Sequence, residues 1–169
     1  RVYQVMLDDG PPVVAKFYRP GRWSDGQIGE EHAFVRSLAD AEVPSVPPRE
    51  IDGRTLHVHA GFRFAVYDKC GGRPPELDRD EVLEWLGRFL GRLHAVGASG
   101  RFAVRPALDA ETFGAAPRDY LLASDFLPPE LRDAWTAASA LALDGVKRAF
   151  DRAGDVEIFV IGQRFHQGQ

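Results

Sequence analysis

The sequence carries one cysteine, Cys70, in 169 residues. No disulfide can close within the chain, and a cysteine-ligated zinc site has too few ligands. Such a chain fits a reducing cytoplasm, the compartment expected here. Lysine is scarce as well: Lys16, Lys69 and Lys147 are the only ones. No apolar run approaches the roughly 20 residues needed to span a bilayer, so no membrane is expected among the partners. Arg1 to Val5 are followed by no apolar stretch of the kind that makes a signal peptide. A basic excess is missing too. The net charge of −4 argues against a dedicated nucleic-acid binder.

What is present suits a globular core: 44% of residues are hydrophobic and 27% charged, and no repeat or low-complexity segment interrupts them. Apolar segments Val2–Leu7 and Val13–Tyr18 flank Asp8-Asp9-Gly10-Pro11-Pro12 and read as a hairpin. Ser24-Asp25-Gly26-Gln27 has the capping-box form and opens a helix to about Ala41, with Ile28, Phe34, Val35 and Leu38 on its apolar stripe. Short strands are expected near Arg49–Ile51, Thr55–His59 and Phe62–Tyr67. Asp52-Gly53 and Ala60-Gly61 separate them as turns.

Lys69-Cys70-Gly71-Gly72-Arg73-Pro74-Pro75 then breaks regular structure. Beyond it the period changes to 3.6. Asp78 or Asp80 caps a helix carrying Val82, Leu86, Phe89, Leu90 and Leu93, which stops at Gly97. Helical pieces follow around Asp109–Phe113 and Pro117–Ser124. Pro128-Pro129 opens a long helix to about Ala153, ended by Gly154, and Val156–Ile161 reads as a strand. Segregated strands and helices predict an α+β fold of two lobes. The expected division is 1–70 for the first lobe, 71–77 for a connector and 78–169 for a partial helical lobe.

Three places can carry chemistry. Lys16, in Val14-Ala15-Lys16-Phe17, sits on a strand; facing a cleft it would hold phosphate oxygens, and facing out it is an ordinary solvent lysine. Glu30-Glu31 lies in the following helix, either as a solvated face or as a carboxylate partner for Lys16. Phe64 to Gly72 runs from a strand into a Gly-Gly connector, which is either a plain linker or a backbone edge for a planar base. His57 and His59 share a strand face but lack a third ligand for a metal. His94 reads as a core or capping histidine, and Trp85 and Trp135 as packing residues. Nothing around Cys70 marks it as reactive.

The stretch Val13-Val14-Ala15-Lys16-Phe17-Tyr18-Arg19-Pro20-Gly21-Arg22-Trp23 closely resembles the stress response kinase A family. These are bacterial Ser/Thr protein kinases with an aminoglycoside-phosphotransferase-like fold. Glu30-Glu31-His32-Ala33-Phe34, Gly61 to Val66, Gly71-Gly72-Arg73 and Leu86 to His94 resemble the same family in the same order, so the likeness runs to about Asp155. It implies a kinase-like two-lobe fold and transfer of a phosphoryl group from Mg²⁺·ATP to a serine or threonine of a protein substrate. By that likeness Lys16 holds the α/β-phosphates, Glu31 is its helix partner, and Val66, Tyr67 and Asp68 form the adenine hinge. The intact parent is expected to be a monomer.

The tail departs from the family. Its catalytic loop has the form His-Gly-Asp-x-His-x-Gly-Asn, and aligning His166 and Gly168 with it puts Arg164 at the aspartate and Gln169 at the asparagine. Arginine cannot accept the substrate hydroxyl's proton. No catalytic residue is therefore matched, and the expectation is a chain inactive in transfer, cut short at both ends, with residues missing before Arg1 and a frameshift or incomplete gene model behind the tail. The rival expectations are a non-catalytic nucleotide-binding pseudokinase, a small-molecule phosphotransferase of the aminoglycoside or choline type, and a folding-incompetent remnant whose Leu86/Phe89/Leu93 face stays uncovered.

Overall fold

The computed structural model of the protein describes residues 1–154. The expected strand Val156–Ile161 and the tail carrying Arg164, His166, Gly168 and Gln169 lie outside the described residues. Strands β1 (Val2–Val5) and β2 (Val13–Phe17) precede helix α1 (Asp25–Asp40), and strands β3 (His57–His59) and β4 (Phe62–Asp68) precede α2 (Asp80–Ala98). A π-helical turn (Glu111–Ala115), α3 (Ala116–Ala123) and the long α4 (Pro129–Ala153) follow. The architecture is α+β, as the order of elements indicates. No helix among the described residues is long and apolar enough to cross a membrane.

The four strands form one antiparallel sheet in the order β1-β2-β4-β3. Two tight turns lie in and beside it, and the first sets the register of β3 against β4. Ala60 and Gly61 both take positive φ (48° and 80°) between His59 and Phe62, the paired ends of β3 and β4. Asp52 and Gly53 do the same (52° and 71°) between the bridged residues Ile51 and Arg54. Two successive left-handed residues match the twist of a hairpin, and glycine takes that conformation without steric cost. Arg49–Ile51 does not become a strand. Pro48 and Ile51 make only isolated bridges: Arg49 N reaches the Val66 carbonyl, but Ile51 N turns back to the Arg54 carbonyl instead of continuing along β4.

Alternation along the strands separates two faces. Phe17 stacks on its cross-strand neighbour Phe64 (ring centroids 5.5 Å), Phe64 meets His57 (5.5 Å), and Tyr3 closes edge-on against Phe17 (5.9 Å). This aromatic row occupies one face. The other presents Tyr18 and Ala65 to Ile28 of α1, and Ile28 and Ala65 are completely buried. The capping box starts α1 there: Ser24 Oγ accepts from Gln27 N, and Gln27 Oε1 accepts from Ser24 N.

A second apolar cluster joins α1 to α2. Leu38, Val43 and Leu93 are buried, with Phe34, Phe89 and Val96 packed around them. Leu93 and Phe89 are therefore covered, contrary to the expectation that this face stays open. Trp85 stacks on Phe89 (5.7 Å) but remains mostly exposed, and His94 is exposed, not a core histidine. Neither Asp78 nor Asp80 caps α2; its N-cap is Arg79, without a side-chain cap bond.

Because α2 packs on α1, residues 1–105 cohere as one compact unit. Residues 71–76 carry no regular structure. The second unit begins at Pro106 and contains the π-turn, α3 and α4. Within it Arg118 donates to Ser139 Oγ (3.0 Å), and Arg132 donates to the carbonyls of Leu122 and Ser124 at the end of α3. Trp135 of α4 is half-buried, while Leu131, Val146 and Phe150 of its apolar stripe are substantially exposed.

Candidate functional site

Lys16 lies on β2 opposite Ala65 of β4, and Val14 lies opposite Tyr67. These four side chains belong to the sheet face that α1 covers. From there Lys16 Nζ donates to Glu31 Oε1 at 2.5 Å and sits 5.0 Å from the centre of the Tyr18 ring. The pair is sheltered but not sealed, with Lys16 and Glu31 side chains 26% and 17% exposed.

Glu31 has a second partner. Its Oε2 accepts from Arg105 Nη2, also at 2.5 Å. Arg105 donates through Nε to the carbonyl of Gln27 (2.7 Å), and its guanidinium lies 4.8 Å from the Trp23 ring centre and 5.7 Å from that of Phe102. Two cations thus share one carboxylate, which leaves the cluster with a formal charge of +1. Burial pushes the Glu31 carboxyl upward. The Lys16 hydrogen bond and the charges of Lys16 and Arg105 outweigh it and hold the group below the ordinary carboxylate range.

Glu30 points elsewhere. Its carboxylate accepts the backbone N–H groups of Ala103 (2.5 Å), Val104 (3.0 Å) and Arg105 (2.9 Å). Desolvation raises its pKa, but these three donors together lower it further. Gln27 Nε2 adds a bond to the Val104 carbonyl (2.9 Å), and Phe102 sets its ring edge-on against Phe34 (6.1 Å). The segment 102–105 is strapped along α1 as a result.

Beside the ion cluster lies a neutral network. The Tyr18 hydroxyl is 2.7 Å from His32 Nε2 and 3.3 Å from the Tyr67 hydroxyl, and His32 Nδ1 is 2.8 Å from Thr55 Oγ1. Burial depresses the His32 pKa to about 4 and raises those of Tyr18 and Tyr67. At neutral pH the imidazole is uncharged, with one nitrogen donating and the other accepting.

The three hinge candidates close β4. Val66 lies opposite Ala15, and its carbonyl accepts from Arg49 N at 2.7 Å. Tyr67 bridges to Pro48, and Asp68 pairs with Arg49 at 2.6 Å. All three are strand residues; irregular chain begins at Lys69. His57 leans on Phe64, and its buried Nε2 has no hydrogen-bond partner. Among the described residues no group of three His, Cys, Asp or Glu side chains stands where it could hold a metal ion. Cys70 is exposed.

A strand lysine held by a helix glutamate is the arrangement that positions a nucleotide's phosphates in kinase-like enzymes. The phosphotransferase enzyme family matches residues 1–153. The chain belongs to this family. It is 40% identical over 139 residues to "Stress response kinase A" of Escherichia coli (strain K12), a match covering 82% of this chain and 42% of that protein. It is 38% identical over 146 residues to "Stress response kinase A" of Salmonella choleraesuis (strain SC-B67) and to "Serine/threonine protein kinase RdoA" of Salmonella typhimurium (strain LT2), covering 86% of this chain and 44% of each. The match spans less than half the length of these relatives. In this phosphotransferase chain, sequence reasoning had no access to Arg105, which reaches Glu31 across 74 positions. Nor did it find the Tyr18–His32–Thr55–Tyr67 network, although Tyr18, His32 and Tyr67 lie within or beside segments that carry the family likeness.

Proposed function

We propose that this chain is the nucleotide-holding part of an ATP-dependent serine/threonine protein kinase of the stress-response type, which moves the γ-phosphoryl group of ATP to a protein hydroxyl. The observation that carries this reading is the Lys16–Glu31 pair, with Glu31 held from behind by Arg105. Lys16 keeps two N–H donors beyond the one given to Glu31, and these meet the α- and β-phosphates as a point charge. Glu31 fixes where that charge stands. By the family likeness adenine lies at the end of β4, at Val66, Tyr67 and Asp68, where the Val66 carbonyl is already taken by Arg49 N.

ATP fits this cationic, sheltered site. Mg²⁺ is held in such sites by one or two carboxylates, waters and the nucleotide's own phosphates; among the described residues no group of three His, Cys, Asp or Glu side chains could hold it without the nucleotide. With His166 and Gly168 aligned to the family's loop, Arg164 and Gln169 fall at the catalytic aspartate and metal-binding asparagine, and a register moved by one puts Gln163 at the aspartate. That substitution favours, as a second reading, a chain that binds nucleotide without transferring phosphate.

The test is thermal unfolding with and without Mg·ATP, in wild type and Lys16→Met. Nucleotide at about 100 times its Kd adds roughly 2.7 kcal/mol, a Tm rise of roughly 5–10 °C for a chain of this size. A rise in wild type that disappears in Lys16→Met is expected. A wild-type transition indifferent to Mg·ATP overturns the reading.

A further inference from the structure

We propose that Arg105 is a positioning residue of the nucleotide site: it acts through Glu31 to keep the Lys16 cluster cationic and aimed, while touching no ligand itself. This rests on the reading of Lys16 as the phosphate-holding group.

Three observations carry it. The first is charge. Lys16 with Glu31 alone is a neutral ion pair. With Arg105 on the other carboxylate oxygen, the cluster holds one positive charge in excess at a sheltered place, and a sheltered charge is screened less than an exposed one. A polyphosphate anion gains from that excess, and Lys16 no longer has to neutralise Glu31 unaided.

The second is burial. The Arg105 side chain is 3% exposed, enclosed by Trp23 and Phe102, with Nε committed to Gln27 O and Nη2 to Glu31. It has no route to a ligand, so any influence on nucleotide passes through the carboxylate.

The third is the strap. Glu30 takes three successive backbone N–H groups of residues 103–105, and Gln27 takes the Val104 carbonyl. Adjacent residues Glu30 and Glu31 therefore divide the work: one anchors the segment that delivers Arg105, and the other receives its guanidinium. This fixes α1 in rotation about its own axis, so that Oε1 of Glu31 faces Lys16.

The experiment compares wild type, Arg105→Met, Arg105→Lys, Glu31→Gln and the Arg105→Met/Glu31→Gln double variant on the full chain. Three quantities are read: the Kd for Mg·ATP by calorimetric titration, the Glu31 carboxyl titration by ¹³C NMR, and Tm, which both Arg105 variants are expected to lower. Arg105→Met is expected to raise Kd about tenfold and to move the Glu31 titration upward. Arg105→Lys, which keeps the charge and loses the fork to Gln27, is expected to return Kd to within about threefold of wild type while Tm stays lowered. In the Glu31→Gln background, Arg105→Met is expected to change Kd no further, because the two act as one unit. A purely structural arginine would instead lower Tm equally in both backgrounds and leave Kd unchanged, or give additive losses. Either pattern overturns the proposal while the Lys16 reading stands. If wild type binds no Mg·ATP, the functional reading fails and the role of Arg105 at a nucleotide falls with it. The NMR shift then still reports whether the Arg105–Glu31 link exists. An Arg105→Met chain that does not fold cooperatively leaves the Arg105→Lys arm to decide: a Kd raised as far as in Glu31→Gln contradicts the charge argument.

Discussion

Arg105 donates to the Oε2 oxygen of Glu31 at 2.5 Å from a side chain almost wholly removed from solvent. Since Oε1 of the same carboxylate holds Lys16, one acidic residue is the counter-charge for two cations on different elements. Glu31→Gln removes that counter-charge and leaves the buried guanidinium uncompensated. The expected cost is about 3 kcal/mol, the scale of breaking one side of a sheltered ion pair. A urea titration should show a lower midpoint with an unchanged slope.

The His32 imidazole sets a pH dependence. Its folded pKa of about 4 lies below the ordinary 6.5, so the unfolded chain binds the extra proton first. Stability from this group is whole above pH 6.5 and is lost progressively as pH falls toward 4. Two and a half units correspond to about 3 kcal/mol. Glu31 adds to the loss only lower, below the ordinary 4.5, because its folded pKa is depressed. Chemical denaturation between pH 7 and 4.5 should therefore show a falling stability in wild type, and a nearly flat profile in His32→Asn.

Glu30 gives a local readout. Its carboxylate is the acceptor for the amides of Ala103, Val104 and Arg105. Glu30→Ala should speed hydrogen exchange at these three amides by at least about tenfold, while amides in the β2–β4 ladder keep their protection. Equal loss of protection everywhere would mean that Glu30 supports the whole fold and not the strap.

Much of the scaffold is legible because it is written locally. Ser24 and Gln27 are three residues apart, and their capping box forms as the spacing predicts. Pro129 and Gly154 bracket α4 by the preferences of helix ends. Asp52-Gly53 turns where its dipeptide says it should. What is not legible depends on distant partners. The segment Arg49–Ile51 has strand-like flanks but touches β4 at a single bridge before turning back on itself, and Asp78 and Asp80 are good caps that α2 leaves unused.

The site divides in the same way. Lys16 and Glu31 stand 15 positions apart on consecutive elements, close enough for a strand-then-helix pattern to suggest their meeting. Arg105 arrives from a loop after α2, in a run Phe102-Ala103-Val104-Arg105-Pro106 whose composition says nothing of a carboxylate. The packing of α2 on α1 was likewise hidden, because it depends on Leu93 meeting Leu38 and Val43.

The central claim is that Lys16 is the amine held against the phosphates of a bound nucleotide. An acyl-phosphate derivative of ATP tests it most directly. A lysine amine poised at the phosphates attacks the acyl carbonyl, the amide forms, and ATP leaves. Lys16, Lys69 and Lys147 are the only lysines in the chain, so peptide mass spectrometry resolves every possible side-chain product. The account predicts labelling at Lys16 that excess ATP suppresses and that Arg105→Met slows. Labelling confined to Lys69 or Lys147, or equal at all three and indifferent to ATP, would contradict it.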